Sequence, residues 1–306
     1  MSQLDLSIII VSYNTKEFLL KCIESIIDTV KKVSYEIVVV DNASTDGTVE
    51  KVQSAKFKVQ SDNSKFNVIK NKKNVGFSKA NNIGVRQSKG KYILFLNPDT
   101  VVYKKAIDGM VEFMDQHQDA GAATCFVELP SGELDDAAHR GFPTPWRAFC
   151  HFFALSKLFS HSKWFAGYSL GWMNLRETHE IDSCAGAFMM VRRVAGEQVG
   201  WWDEDYFWYG EDLDFCYRLK QKSWKVFFVP EFKILHYKGV SGGIKKHSQY
   251  LSTADKETKI RATKARFDAM KLFYKKHYKY KYPKFVTTLV TQAINVKERL
   301  ALKAFE

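Results

Sequence analysis

The sequence predicts an α/β protein with a mainly parallel central sheet, and three observations support this fold class. Short apolar segments of strand length recur through the first half of the chain. Stretches with apolar residues at helical spacing separate them, as expected when crossover helices bury both faces of each strand. The 306 residues are 45% hydrophobic and 26% charged, a composition that can bury a substantial core and excludes a disordered chain.

The first half of the chain contains predicted strands and helices in alternation. The segment LSIIIVS at 6–12 predicts the first strand, and the apolar spacing over 17–30 predicts the first helix. In chain order, the others are a strand at 35–40, a helix from about 47, a strand at 66–69, a helix at 78–87, a strand at 92–96 and a helix at 104–117.

The second half is less regular. Ten aromatic residues lie between 142 and 172, and they are typical either of a core or of an acceptor or lipid-facing surface. We predict a buried strand at 183–191, a helix from 211 to about 221, and two short strands at 225–229 and 233–236. A helix from about 254 has its apolar residues Ile260, Phe267, Met270 and Tyr274 on one face, Pro283 ends it, and a last helix covers 285–304.

The net charge of +12 is concentrated at the C-terminal end. Residues 256–306 carry 14 Lys and Arg against 4 Asp and Glu, whereas the rest of the chain is nearly neutral. This charge favours an anionic partner, either a membrane surface or a nucleic acid. We find no secretory signal and no apolar stretch of the ~18 residues that a membrane span needs, and five widely spaced cysteines indicate reduced thiols. We therefore expect a cytoplasmic protein, with peripheral attachment to the cytosolic face of the membrane.

Polar clusters follow three of the predicted strands at the same edge of the sheet. They are SYNT from Ser12, DNASTDGT from Asp41 and NPDT from Asn97. Each cluster alone is equally consistent with turn formation, because Asn, Asp, Ser and Gly favour turns for local reasons. Ligands of open α/β sheets bind at the carboxyl ends of the strands, so three clusters at one edge favour a binding site.

Three acidic or imidazole positions are candidates for the chemistry. Asp99 is placed to hold a divalent cation that bridges two phosphates, although it also suits a helix cap. The pair Glu211 and Asp212 is suited to general-base catalysis, although acids at a helix N-terminus also stabilise the helix dipole. His236 ends a strand and is a candidate metal or phosphate ligand, with a structural role as the alternative. The chain contains no P-loop, no GxGxxG after a strand and no GxSxG.

Taken together, the motifs resemble the family 2 glycosyltransferases, and most closely their rhamnosyltransferase-like branch. The matching segments occur in family order over residues 5–243. They are SIIIVSYN from Ser7, DNASTDGT from Asp41, NVGFSKANN from Asn74, NPD from Asn97, and GEDLD from Gly210 followed by Arg218.

The resemblance implies a GT-A fold and inverting transfer of a sugar, rhamnose being one candidate, from a nucleotide-diphospho-sugar to a glycan or lipid-linked acceptor in surface polysaccharide synthesis. It implies a domain at 1–250, with a nucleotide-sugar-binding half at 1–118 and an acceptor and catalytic half at 119–250, followed by a basic helical extension at 251–306. Asp212 would be the catalytic base, with Glu211, Asp214 and Arg218 in support. The implied donor-binding residues are Val11, Tyr13, Asp41, Asn42, Asn74, Gly76, Phe77, Asn82 and Asn97.

The resemblance also implies a Mg²⁺ or Mn²⁺ ion held by Asp99 and His236. One departure is Asn97, which stands where the family's metal motif usually has an acid, so we expect weak metal binding without donor. His139, Arg140 and Trp146 fall in a segment that supplies acceptor contacts in this branch.

Two other functions remain open at this stage. One is a polyprenyl-phosphate sugar synthase, which ranks lower because such enzymes usually lack the Asn74 segment in this form. The other is a non-catalytic nucleotide or nucleic-acid binder, whose bases would stack on the aromatics among the C-terminal lysines. No nucleic-acid-binding motif accompanies those aromatics, so a nucleic-acid partner is disfavoured.

Overall fold

The computed structural model describes residues 4–54, 65–239 and 254–305, and within these residues nine strands form one sheet. The strands are β1 (Leu6–Ser12), β2 (Tyr35–Asp41), β3 (Lys65–Lys70), β4 (Tyr92–Leu96), β5 (Thr100–Val102), β6 (Ala120–Glu128), β7 (His179–Ile181), β8 (Phe188–Arg192) and β9 (Lys225–His236). The helices are α1 (Lys16–Thr29), α2 (Thr48–Ser54), α3 (Phe77–Arg86), α4 (Ala106–Gln116), α5 (Pro145–Phe152), α6 (Leu155–Leu158), α7 (Arg193–Val199), α8 (Glu211–Gln221), α9 (Lys256–His277) and α10 (Lys284–Lys303).

The sheet is mostly parallel, as predicted. Its strand order is β3-β2-β1-β4-β8-β6-β9-β5, and β7 pairs with β9. The first four strands in this order are mutually parallel, whereas β8 runs antiparallel between β4 and β6. Strand β9 returns parallel to β6, with β5 and β7 antiparallel to it. The parallel strands place the clusters after β1, β2 and β4 at one edge.

The central strands are buried on both faces, which explains their uninterrupted apolar sequences. Every residue of β1, β2 and β4 is buried. Helix α3 packs close to β1 because Gly84 has no side chain. A Cβ atom at this position would lie 2.5 Å from the side chain of Ile9.

The structure corrects the sequence prediction at several strands. Strands β5, β6 and β7 were not predicted, because β5 and β7 are three residues long and β6 begins with small residues of low β propensity. The segment predicted as a strand at 183–191 is a strand only from Phe188 onward. The two strands predicted at 225–229 and 233–236 are one strand, β9, whose pairing with β6 shifts register around Pro230.

The two C-terminal helices differ in how they pack. Helix α9 buries Phe267, Phe273 and Tyr274 against the rest of the protein, whereas Ile260 and Met270 of the predicted apolar face are only half-buried. Helix α10 buries no residue. Among the described residues, no helix is long and apolar enough to cross a membrane.

Candidate active site

A cavity of about 1200 Å³ opens at the carboxyl edge of the sheet and gathers most of the predicted site residues. The predicted residues that line it are Val11, Tyr13, Asn42, Asn74, Gly76, Phe77, Asn97, Asp99, His139, Arg140, Glu211, Asp212 and His236. Asp41, Asn82, Trp146, Asp214 and Arg218 do not line it.

Asn42 shapes the wall of the cavity beyond β2. Its amide nitrogen donates to Asn74 Oδ1 at 2.8 Å and to the Gly76 carbonyl at 3.3 Å, and its Oδ1 accepts from the Val75 N–H at 3.0 Å. Gly76 has φ +87°, and a Cβ there would lie 2.8 Å from Phe207. Only glycine therefore fits this turn without strain.

Asp41 and Asn82 lie behind this wall. Asp41 Oδ2 accepts from the Ser44 N–H at 3.0 Å, while its Oδ1 is buried with no partner among the described residues. Asp41 is fully buried and does not line the cavity, so the predicted donor contact is not formed by this carboxylate in the structure. Asn82 bonds to both backbone groups of Trp202, at 2.8 and 3.1 Å, and so holds the loop before α8.

Asp99 and His236 meet because β5 pairs with β9, with Thr100 opposite His236. His236 Nε2 lies 3.3 Å from Asp99 Oδ1, and Nδ1 lies 2.9 Å from Asp135 Oδ2. Burial opposes a charge on His236, but the two carboxylates prevail and raise its pKa to about 9. Lys238 contacts Asp135 and bonds to Asp136 at 2.6 Å. Asp135 was not predicted, because it lies 101 residues from His236 in the chain and only folding brings the two together. Lys238, two residues after His236, was not predicted either.

Asp99 and His236 would hold a divalent cation that a diphosphate completes, once the ion displaces the Nε2 proton that the raised pKa of His236 implies. Their facing atoms are 3.3 Å apart, close to the ~3 Å expected for neighbouring ligands on an octahedral ion with bonds of about 2.1 Å. Asp135 orients His236 from behind, as the outer partners of metal-bound histidines do. No group of three or more His, Cys, Asp or Glu in the described residues is arranged to hold a metal. The phosphates of a ligand would have to supply the remaining ligands.

Two adjacent carboxyl groups at the start of α8 also line the cavity. Asp212 Oδ2 accepts from Arg140 Nη2 at 2.5 Å, and its Oδ1 accepts from the Leu213 N–H at 2.7 Å. Glu211 Oε2 is buried with no partner among the described residues. Burial, reinforced by the charge of Asp212, raises the pKa of Glu211 to about 8. At neutral pH Glu211 therefore carries a proton and lies next to Asp212, which Arg140 holds in an ion pair.

Asp214 and Arg218 serve the packing of α8. Asp214 accepts from Arg218 Nε at 2.7 Å and faces His277 Nε2 at 2.7 Å. Arg218 also donates to the carbonyl of Trp201 at 2.8 Å. His277 belongs to α9 and was not predicted. The contact ties the C-terminal helix pair to the helix that carries Asp212.

The candidate acceptor residues separate into two groups. Arg140 and His139 lie in the cavity, and His139 Nε2 is 2.7 Å from His179 Nε2. Burial, with the nearby His179, lowers the pKa of His139 to about 4. Trp146 instead lies on the surface and donates to the Trp164 carbonyl at 3.0 Å. Much of the aromatic segment is likewise exposed, so the interpretation as a surface holds for those residues.

The sheet order and the polar edge define a GT-A-like α/β protein. The model for glycosyl transferase family 2 matches residues 7–180, more than half of the sequence. The chain belongs to this family. Asp212 and His236 lie beyond the matched residues.

Two relatives are named as rhamnosyltransferases. Rhamnosyltransferase WbbL of Escherichia coli K12 is 29% identical over 176 residues, which are 53% of this chain and 61% of the relative. The N-acetylglucosaminyl-diphospho-decaprenol L-rhamnosyltransferase of Mycobacterium tuberculosis is 27% identical over 235 residues, which are 73% of each protein. The chain thus spans under two thirds of the first relative.

Solved structures share the fold at low identity. S. aureus TarS 1–349 in complex with UDP has a TM-score of 0.52 and 17% identity, over 87% of this chain and 65% of that one. GalNAc-T7 with UDP, GalNAc and Mn²⁺ has a TM-score of 0.58 and 18% identity, over 89% of this chain and 50% of that one.

Proposed function

We propose that this protein is an inverting glycosyltransferase that moves a sugar from a nucleotide-diphospho-sugar to an acceptor hydroxyl. The observation that carries the proposal is the arrangement of the cavity. The Asn42–Asn74 wall, the Asp99–His236 pair and Asp212 all line this one cavity. Such a cavity can hold the nucleotide diphosphate and the reacting hydroxyl together.

Two observations support the proposed donor: the residues at the carboxyl ends of β1 and β2, and the ligands of solved structures that share the fold. Val11 and Tyr13, which line the cavity, would contact the base. TarS and GalNAc-T7 were solved with UDP, which makes a uridine nucleotide one candidate. Rhamnose is the first sugar to test, because two relatives are named rhamnosyltransferases.

A divalent cation is part of the proposal. The GalNAc-T7 structure contains Mn²⁺, and Asp99 and His236 of this chain fit such an ion. When bound, the cation would neutralise the charge that develops on the departing diphosphate. Asp135 would hold His236 in the tautomer that presents Nε2 to the ion.

The transfer step is assigned to Asp212. Its carboxylate takes the proton of the acceptor hydroxyl as that oxygen attacks the anomeric carbon, and the bond to the diphosphate breaks. A single displacement inverts the anomeric configuration without a covalent intermediate. Arg140 orients Asp212 before the acceptor arrives. Glu211, protonated at neutral pH, adds no second negative charge.

The acceptor is proposed to be a glycan or a lipid-linked glycan at the cytosolic face of the membrane, in surface polysaccharide synthesis. The name of the mycobacterial relative includes a diphospho-decaprenol acceptor, and residues 256–306 of this chain are strongly basic. The protein would therefore be cytoplasmic and peripheral to the membrane.

The test is turnover of a panel of nucleotide-diphospho-sugars, with Mg²⁺ or Mn²⁺ and synthetic lipid-linked glycan or polyprenyl-phosphate acceptors. We expect one donor to give a glycoside of inverted anomeric configuration, read by NMR coupling constants. A retained configuration would contradict direct displacement. Transfer to polyprenyl phosphate alone would replace the glycan acceptor with the synthase alternative.

A further inference from the structure

Exposed apolar side chains concentrate on two segments at one side of the molecule. Among the described residues, most of the large apolar side chains that are exposed belong to residues 146–164 or to α10. The most exposed of the first segment are Phe153 at 68%, Leu158 at 73% and Trp164 at 70%. Phe285 of α10 is 66% exposed. Scattered single apolar residues need no explanation, but a concentration of this kind marks a binding surface.

The two segments form one surface, called here the apolar–basic face. Lys297 of α10 lies 3.9 Å from the centre of the Phe152 ring. Both segments also line the cavity, with Phe149 and Phe153 from one and Leu289 and Val296 from the other. The apolar–basic face is therefore continuous with the cavity that Asp212 lines.

The charges on this face have one sign. No Asp or Glu occurs between Asp136 and Glu177. Helix α10 has a single acid, Glu298, and Lys271 of α9 pairs with it at 2.6 Å. Within the described part of the chain, Lys157, Lys163 and Lys284 form no ion pair. Their charges are available to an anionic partner.

We propose that the apolar–basic face binds the surface of an anionic lipid bilayer. Exposed aromatic and aliphatic side chains surrounded by lysines suit the boundary between head groups and acyl chains. Anionic lipids attract each basic residue near the surface. A second copy of the chain fits less well, because two such faces would bring lysines against lysines.

Binding of the apolar–basic face to a bilayer would orient the protein for the proposed reaction. With the face on the bilayer, the aromatic and α10 residues that line the cavity meet the membrane, and Asp212 lines the same cavity. This step rests on the proposed transfer to a lipid-linked acceptor, whose sugar end would enter while its lipid stays in the bilayer. Vesicle binding itself needs neither donor nor turnover. A failure of the membrane-binding proposal can therefore be distinguished from a failure of the proposed glycosyl transfer.

The experiment is co-sedimentation of the full chain with vesicles of phosphatidylglycerol and phosphatidylcholine, and with phosphatidylcholine alone, at low and physiological salt. We expect salt-sensitive binding to the anionic vesicles only. Leu158→Ser/Phe285→Ser removes two exposed side chains that do not line the cavity and should weaken binding at least about tenfold. Lys157→Gln/Lys163→Gln should weaken it roughly thirtyfold, from the loss of two surface charges.

Matched controls change the same kind of residue elsewhere. Tyr103→Ser/Val194→Ser removes two exposed apolar side chains, and Lys72→Gln/Lys73→Gln removes two charges; both should bind as the parent does. Turnover of a water-soluble acceptor should be unchanged in the face variants, which shows that they fold. Equal binding by face variants and controls, or no binding by the parent at low salt, would overturn the proposal. Light scattering that shows a dimer abolished by the face variants, without vesicle binding, would make the face a self-association surface instead.

Discussion

Asp212 and Arg140 form the contact on which the proposed chemistry depends. The two side chains meet at 2.5 Å although 72 residues separate them in the chain. The ion pair holds the Asp212 carboxylate in place, and the acceptor hydroxyl must approach the same carboxylate. The residue therefore has a defined position before any substrate binds.

Asp212→Asn is expected to lower kcat by roughly 10²–10⁴-fold, the range for loss of a general base, while donor affinity stays close to that of the parent. The amide keeps the size of the side chain but cannot accept the proton. Steady-state kinetics and donor titration separate the two effects. Asp119→Asn, an exposed carboxyl paired with Lys225 outside the cavity, serves as the control. Parent-like kcat with an inverted product would assign the base to another group.

Asp99→Ala is expected to abolish turnover with Mg²⁺ or Mn²⁺ and to weaken metal-dependent binding of a nucleoside diphosphate. The reason is the loss of the only carboxylate that faces His236 Nε2 in the described residues. Calorimetric titration of UDP with and without Mn²⁺ measures the effect. If the variant keeps full activity in the presence of EDTA, the cation assignment is wrong.

The raised pKa of Glu211 predicts that the free energy of unfolding depends on pH. Its pKa is raised to about 8 in the folded protein, so the folded state holds a proton that the unfolded state releases above about pH 4.5. The contribution of Glu211 to the free energy of unfolding is fully present below about pH 4.5 and is lost as the pH rises to about 8. Glu211→Gln should remove this loss and gain at least about 1 kcal/mol over the parent at pH 9 compared with pH 5. Urea unfolding at both pH values measures it, with the exposed Glu231→Gln as control.

Helix α9 is held against α8 by a buried polar contact. His277 and Asp214 lie 2.7 Å apart, and Lys276 pairs with Asp205 at 2.7 Å in the loop before α8. Phe273 and Tyr278 pack on Tyr217 of α8. This element therefore supports the helix that presents Asp212, although it lies beyond the family match.

His277→Ala is expected to destabilise the protein by about 1–3 kcal/mol, because Asp214 would lose a buried partner. Hydrogen exchange should become faster in α9 and in the first turn of α8, while β1 and β2 stay protected. Tyr280→Ala changes an exposed neighbour and is the control. It should leave the free energy of unfolding and the hydrogen exchange unchanged. Unaltered exchange in α8 would show that the contact does not support that helix.

At the scale of the whole molecule, the basic C-terminal region has two parts with different roles. Helix α9 supplies buried aromatics to the main core, whereas α10 buries none and lies along α9 through contacts such as Lys271 with Glu298. The charge that the two helices share does not reveal this difference.

A chain that ends at Pro283 is expected to stay folded and active on a water-soluble acceptor. A chain that ends at Thr253 should lose more than ~3 kcal/mol, because Phe267, Phe273 and Tyr274 leave the core. Thermal unfolding of the two truncated chains measures the difference. Equal stability of the two would mean that α9 is dispensable for the fold.

Much of the fold follows from local sequence alone. The strands buried on both faces are read from apolar runs such as 6–12 and 92–96, and the polar edge follows because parallel strands end together. The resemblance to the family assigns site roles to Asp99, Asp212 and His236. The structure places all three in the same cavity.

Only the tertiary structure determines which groups act on these residues. Asp135 reaches His236 across 101 residues, and His277 reaches Asp214 across 63. Neither pair has a local pattern, because long-range contacts depend on strand order and helix packing. The same holds for the apolar–basic face, since aromatic composition alone is equally compatible with a core. Its exposure is decided by whether another element covers it, and in the described residues none covers Leu158, Trp164 or Phe285.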